Sequence, residues 1–141
     1  MKYPEGMLAA ARADTEQLGC QELRGAAAVR GVPAMAGSTL LLVNALCPYA
    51  ETLRLGLALA LQHGAARPTR LFSVFAGQDP AASDALGELL GTTNLSSPSV
   101  LLWRDGTLVA GLTRAEIAGQ SPCDLAMRLI NLLAAAKPAA T

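Results

Sequence analysis

Residues 38–44, Ser-Thr-Leu-Leu-Leu-Val-Asn, set four large aliphatic side chains in direct succession, with Gly37 before them and a Cys-Pro pair soon after. A strand with one wet face alternates apolar and polar residues, whereas an unbroken run suits a strand buried on both faces of a parallel sheet covered by helices. This segment sets the fold class to α/β. A chain of 141 residues holds one such domain without needing disulfide staples, so a single domain over 1–141 is expected. Hydrophobic residues make up 52% of the chain and aromatics only 4%, so the interior must be built from Leu, Ala and Val.

The other elements order themselves around this strand. Residues 4–18 favour an N-terminal helix, with Pro4 near its first turn and Gly19 as its stop. Cys20 to Leu23 reads as a short strand, and 25–37 as a short helix disturbed by Pro33 and closed by Gly37. After Cys47, leucines at 53, 55, 57, 59 and 61 alternate as in a strand, yet Pro48 fits a first helical position and Gly64 a helix end. Helix is the reading preferred there, because Ala58 and Ala60 intervene and β-branched residues stop at Thr52. A helix so apolar is expected to be buried against a sheet or a second subunit, the latter making a homodimer.

Further on, residues 70–76 form a strand, and Asp79, Pro80 and Gly91 bracket a helix as N-cap, first-turn proline and stop. Strands at 98–103 and 107–112 are joined by Asp105-Gly106, which favours a tight hairpin. Thr113 to Glu116 has capping-box spacing, and 121–136 forms the last helix, with Leu125, Leu129, Leu132 and Leu133 along one face. The tail over 137–141 is expected to be loose. Parallel strands with crossover helices, closed by one hairpin, predict a central mixed sheet with helices on both faces and an extra N-terminal helix. This order resembles that of a thioredoxin-like domain.

Charge and cysteine usage exclude several function classes. Eleven basic residues offset eleven acidic ones without forming blocks, so no nucleic-acid or membrane partner is expected. No export signal and no apolar run of membrane-spanning length is legible, which predicts a cytoplasmic protein. Cys20, Cys47 and Cys123 are odd in number and widely spaced, and the chain has one His, so neither a disulfide framework nor a metal site is expected. Cys20 and Cys123 are taken as packing residues, and Trp103 as partial core. His63 is expected to meet helix-end carbonyls or solvent. Gly77 and Asp79 have sufficient structural roles in a turn and a cap, while Gln78 has none in the sequence.

Cys47 carries the functional question. At the start of a helix a sulfur faces unpaired N–H groups and the positive end of the dipole, and both favour thiolate over thiol. Pro48 has no N–H, so donors come from Tyr49 and Ala50. The competing reading is a small hydrophobe packed in the core, the usual fate of a free cysteine. Ser97-Pro98, set just before a strand, fits a cis bond that presents the Ser97 backbone to an extended substrate; a trans proline at a strand start is the ordinary alternative.

Several words of the chain, Gly37 to Cys47, Val74 to Asp79, Ser96 to Ser99 and Ala115 to Leu133, together resemble the bacilliredoxin family of bacterial thioredoxin-like proteins, from about Leu18 to Ala136. The resemblance implies a thioredoxin-like fold, a nucleophilic Cys47 and a cis bond at Ser97-Pro98. It also implies removal of a low-molecular-weight thiol such as bacillithiol from protein mixed disulfides, with that thiol as co-substrate and no bound cofactor. Pro48, Tyr49, Ser97 and Pro98 would then contact substrate. Where the family carries Cys-Gly-Cys, this chain has Cys47-Pro48-Tyr49, so the resolving thiol is absent. Three functions follow: a monothiol oxidoreductase, a thioredoxin-like binding module that has lost turnover, or a cluster-binding dimer using Cys47 of each subunit with an external thiol.

Overall fold

The computed structural model describes residues 3–64 and 66–135. In chain order the elements are α1 (Glu5–Gln17), β1 (Gln21–Glu22), α2 (Gly25–Arg30), a 3-10 turn (Val32–Ala34), β2 (Ser38–Asn44), α3 (Pro48–Gln62) and β3 (Arg70–Phe75). They continue as α4 (Pro80–Leu90), β4 (Ser99–Arg104), β5 (Thr107–Leu112), α5 (Arg114–Ile117) and α6 (Pro122–Ala135). The expected tail over 137–141 lies outside the described residues. The sheet order is β1-β3-β2-β4-β5, with β1, β3 and β2 parallel and β4 and β5 antiparallel. The aliphatic run thus becomes the central strand.

Successive side chains of a strand point to opposite faces, and β2 uses this to feed two cores. Leu40 and Leu42 pack with Leu53 and Leu57 of α3 and with Leu125 and Leu129 of α6. Leu41 and Val43 pack on the other face with Val29 of α2 and Ala82 and Leu86 of α4. Trp103, expected to be only partial core, is 4% exposed and belongs to this second cluster. Its strand is more central than the hairpin signal alone suggested. Helix α1 closes the end of the sheet through Leu8, Ala11 and Phe75.

Caps and turns follow the residues that demand them. Asp79 accepts the Ala82 N–H at 3.1 Å as N-cap of α4 and, with its other oxygen, the Gly25 N–H at 3.0 Å, so one carboxylate fixes two helix starts. Thr113 and Glu116 form both halves of a capping box. Asp105 and Gly106 both have positive φ, 48° and 85°, as a two-residue hairpin between twisted strands requires. Gln78, without a role in the sequence, accepts the Tyr3 N–H at 3.4 Å through Oε1. The expected helix over 25–37 is shorter than foreseen, because Pro33 ends α2 in a 3-10 turn before Gly37.

Helix α3, expected to be buried against a sheet or a second subunit, buries one face against the sheet and leaves another open in this chain. Leu53, Gly56, Leu57 and Ala60 are buried, but Leu55 is 54% exposed and Glu51 also faces outward. The helix is covered on one side by the sheet and α6, and its opposite edge is open beside α1.

Candidate active site

After Asn44 the chain crosses two residues to Cys47, the N-cap of α3, whose backbone is extended (φ −160°, ψ 164°). Pro48 holds the first helical position, where its fixed φ suits the helix and its missing N–H leaves nothing unpaired. The Glu51 N–H donates to the Cys47 carbonyl at 3.2 Å and closes the first turn. The Cys47 side chain makes no capping hydrogen bond, and the residue is half-buried. Cys47 thus stands at the N-terminal end of a 15-residue helix, the positive end of its dipole.

Antiparallel pairing brings the second predicted segment to the same place. Val43 of β2 lies opposite Ser99 of β4, so the residues just before Ser99 run beside those just after Val43. The Ser97-Pro98 bond is cis; Pro98 is buried and Ser97 half-buried. The Ser99 hydroxyl donates to the Ser96 carbonyl at 2.7 Å, and the Arg114 N–H donates to the Ser96 hydroxyl at 3.0 Å. These bonds fix the loop on α5.

Arg114 also joins this loop to the cysteine helix. Its guanidinium lies 5.5 Å from the ring centroid of Tyr49, within cation–π range, and Nη1 lies 3.5 Å from the Ser97 carbonyl. Tyr49 is 38% exposed, with its ring forming an apolar wall on this side of α3. Pro48 is exposed at the helix tip. All five residues singled out in the sequence, Cys47, Pro48, Tyr49, Ser97 and Pro98, therefore belong to one end of the sheet.

A buried arginine stands behind the turn that precedes Cys47. Arg54, two turns along α3, is buried, and its Nη1 donates to Asn44 Oδ1 at 2.8 Å and to the Ala45 carbonyl at 3.3 Å. Asn44 is a hub: Nδ2 donates to the Thr15 hydroxyl at 2.9 Å, and Oδ1 also accepts the Ala45 N–H at 3.0 Å. Burial lowers the Arg54 guanidinium from its usual value, while Asp14, Glu51 and Cys47 oppose that lowering by Coulombic attraction. Sequence reasoning missed Asn44, Arg54 and Arg114. The available signal was Arg54 itself, the lone charge between Thr52 and Gln62 in an otherwise apolar helix.

The other thiols divide differently from expectation. Cys20 is buried, and loss of solvation pushes its thiol up to about 11, as suits a packing residue. Cys123, also expected to pack, is exposed on the first turn of α6, because the buried stripe of that helix runs through Leu125, Leu129 and Leu133. All three cysteines are free. Among the described residues no three His, Cys, Asp or Glu side chains gather as a metal site, and no helix is long and apolar enough to cross a membrane.

The profile of the disulphide isomerase family matches residues 3–136. A bacilliredoxin of Symbiobacterium thermophilum is 38% identical over 130 residues, covering 91% of each chain. The chain belongs to the bacilliredoxin family. A bacilliredoxin of Staphylococcus aureus is 33% identical over 131 residues, covering 93% of this chain and 88% of its own. Among solved structures, mitochondrial thioredoxin 3 of Saccharomyces cerevisiae superposes with a TM-score of 0.57 at 14% identity, over 84% of this chain and 99% of its own. A protein titled Trxlp from Edwardsiella tarda gives 0.52 at 24% identity, over 77% of this chain and 96% of its own. These likenesses show the thioredoxin fold. Within this bacilliredoxin-family chain, the run Cys47-Pro48-Tyr49, with a single thiol at the helix start, is the feature of the site that needs a functional account.

Proposed function

We propose that this chain is a thiol-disulfide oxidoreductase that works with one thiol. The Cys47 thiolate attacks the small-thiol sulfur of a protein mixed disulfide; a new S–S bond forms to Cys47, and the protein sulfur leaves as thiolate. A second molecule of the low-molecular-weight thiol, of which bacillithiol is the kind implied by the family, then attacks the adduct. It departs with the cap as a symmetrical disulfide and returns Cys47 as thiolate. No protein cysteine need resolve the intermediate. The observation that carries this reading is a half-buried Cys47 at a helix N-terminus, with Tyr49 rather than a thiol beside it.

The surrounding residues have consistent roles. Pro48 fixes the helix start, Tyr49 offers an apolar wall, and the Ser97 backbone next to Pro98 offers an edge on which an extended peptide can lie. Such chemistry suits a reducing compartment such as the cytoplasm. Against a binding module without turnover stands the partial exposure of Cys47, since that alternative expects an inaccessible or inert sulfur.

The test uses a protein carrying a bacillithiol mixed disulfide, followed by intact mass. In the Cys20→Ala, Cys123→Ala background, decapping and a transient Cys47 adduct are expected to persist. Adding Cys47→Ser should reduce decapping to the uncatalysed rate. Undiminished decapping in that variant would move the chemistry to another residue. Wild-type protein that binds the substrate but never removes the cap would favour the module.

A further inference from the structure

Between α1 and the open edge of α3 lies a hollow of about 450 Å³, within the size range of small-molecule sites. Four charged side chains line it, Asp14, Glu51, Arg54 and Arg67, and the aliphatic part of its wall includes Leu18, Leu55 and Ala58. Two charges are positive and two negative, yet none pairs with another. The ion pairs among the described residues join Glu22 to Arg12 and Arg24, Arg30 to Glu88, and Arg104 to Asp105. Asp14 and Glu51 still act on Arg54 electrostatically, so the four share one field without closing on themselves.

Arg54 is the second, independent observation. It is 9% exposed, and only its Nη1 has hydrogen-bond partners among the described residues, Asn44 Oδ1 and the Ala45 carbonyl. A guanidinium has five N–H donors in a rigid fork. Arg54 Nε and Nη2 meet no acceptor among the described residues yet are not sealed from solvent, so they are open to a ligand on the side of the hollow that the residue lines. A purely anionic ligand there would meet Asp14 and Glu51, and a purely cationic one would meet the buried guanidinium. A neutral molecule carrying both signs satisfies all four.

We propose that this hollow binds a small zwitterion of amino-acid or short-peptide class. Its carboxylate is received by Arg54 and Arg67, its ammonium group by Asp14 and Glu51, and its aliphatic part by Leu18 and Leu55. Charge-assisted hydrogen bonds from a desolvated arginine are the strong kind, and the apolar wall supplies area. The site does not include Cys47, and although it shares Arg54 with the network around Asn44, its test reads peptide binding without any thiol exchange.

The experiment titrates the isotopically labelled full chain with glycyl-L-leucine, read by backbone amide NMR shifts. Saturable shifts are expected along Asp14 to Leu18 and Glu51 to Ala58. N-acetylglycyl-L-leucine and glycyl-L-leucinamide, each lacking one charge, should bind about tenfold more weakly or worse, as loss of a charge-assisted hydrogen bond implies. Asp14→Asn and Arg67→Gln change exposed side chains and leave the core intact, and each should weaken binding about threefold or more. Three results would overturn the proposal. These are no saturable shift at about 10 mM peptide, where even a millimolar site is mostly filled, shifts mapping elsewhere, or capped peptides and both variants binding as the parent pair does.

Discussion

Three thiols in one chain meet three environments, and their chemistry separates accordingly. Cys20 is the one whose ionisation bears on stability, because burial raises it from 9.0 to about 11. The folded state then holds that proton more tightly than the unfolded chain does. Its contribution is complete below pH 9.0 and is lost as pH rises towards 11. Urea midpoints measured across that window should fall in the wild type, and Cys20→Ala should remove this part of the fall. Arg54 is the residue that ties α3 to the turn before Cys47. Arg54→Met removes the hydrogen bonds that Nη1 makes to Asn44 Oδ1 and the Ala45 carbonyl, and should cost about 1–3 kcal/mol of stability in denaturant titration. An unchanged midpoint would mean that the apolar contacts of α3 hold this turn without it.

At the scale of elements, the punctuation of the helices was legible because it is local chemistry. Pro48, Asp79, Gly91 and the Thr113–Glu116 pair act through backbone groups only a few residues away, and each sits where its residue type predicts. The fit between elements was not legible, and Gly56 shows why. Helix propensity alone makes Gly→Ala in a helix favourable by about 1 kcal/mol. A Cβ at Gly56, however, would stand 2.8 Å from Leu125 Cβ and 3.1 Å from the Pro122 carbonyl oxygen, because α6 crosses α3 there. Gly56→Ala should therefore destabilise the chain by about 1–3 kcal/mol, while Gly6→Ala in α1, with nothing within 4 Å, should not. Denaturant titration of the two variants checks the contrast. The bulge between Leu102 and Trp103 is a similar case, since an extra residue in a ladder is defined only by the partner strand.

The whole molecule holds its candidate site through one polar chain crossing from α1 to α3. The Thr15 hydroxyl donates to the Ala11 carbonyl at 2.7 Å and accepts from Asn44, which in turn accepts from Arg54. Thr15→Val leaves Asn44 Nδ2 buried without that partner, at a cost of about 1–3 kcal/mol. Faster amide hydrogen exchange in α1 than in β2 or α6 is the expected signature; uniform change would indicate that α1 is held by its apolar contacts alone. By itself the sequence determined the doubly buried strand, the order of helices and strands, and a single sulfur at a helix start, because periodicity, capping and proline geometry are properties of neighbouring residues. Only the tertiary structure decided that Cys123 is exposed, that Arg114 bridges Tyr49 to Ser97, and that Arg54 ties α3 to Asn44 and Ala45. Those meetings depend on which faces pack across the sheet, and burial of area, which governs that packing, is shared among residues far apart in the chain.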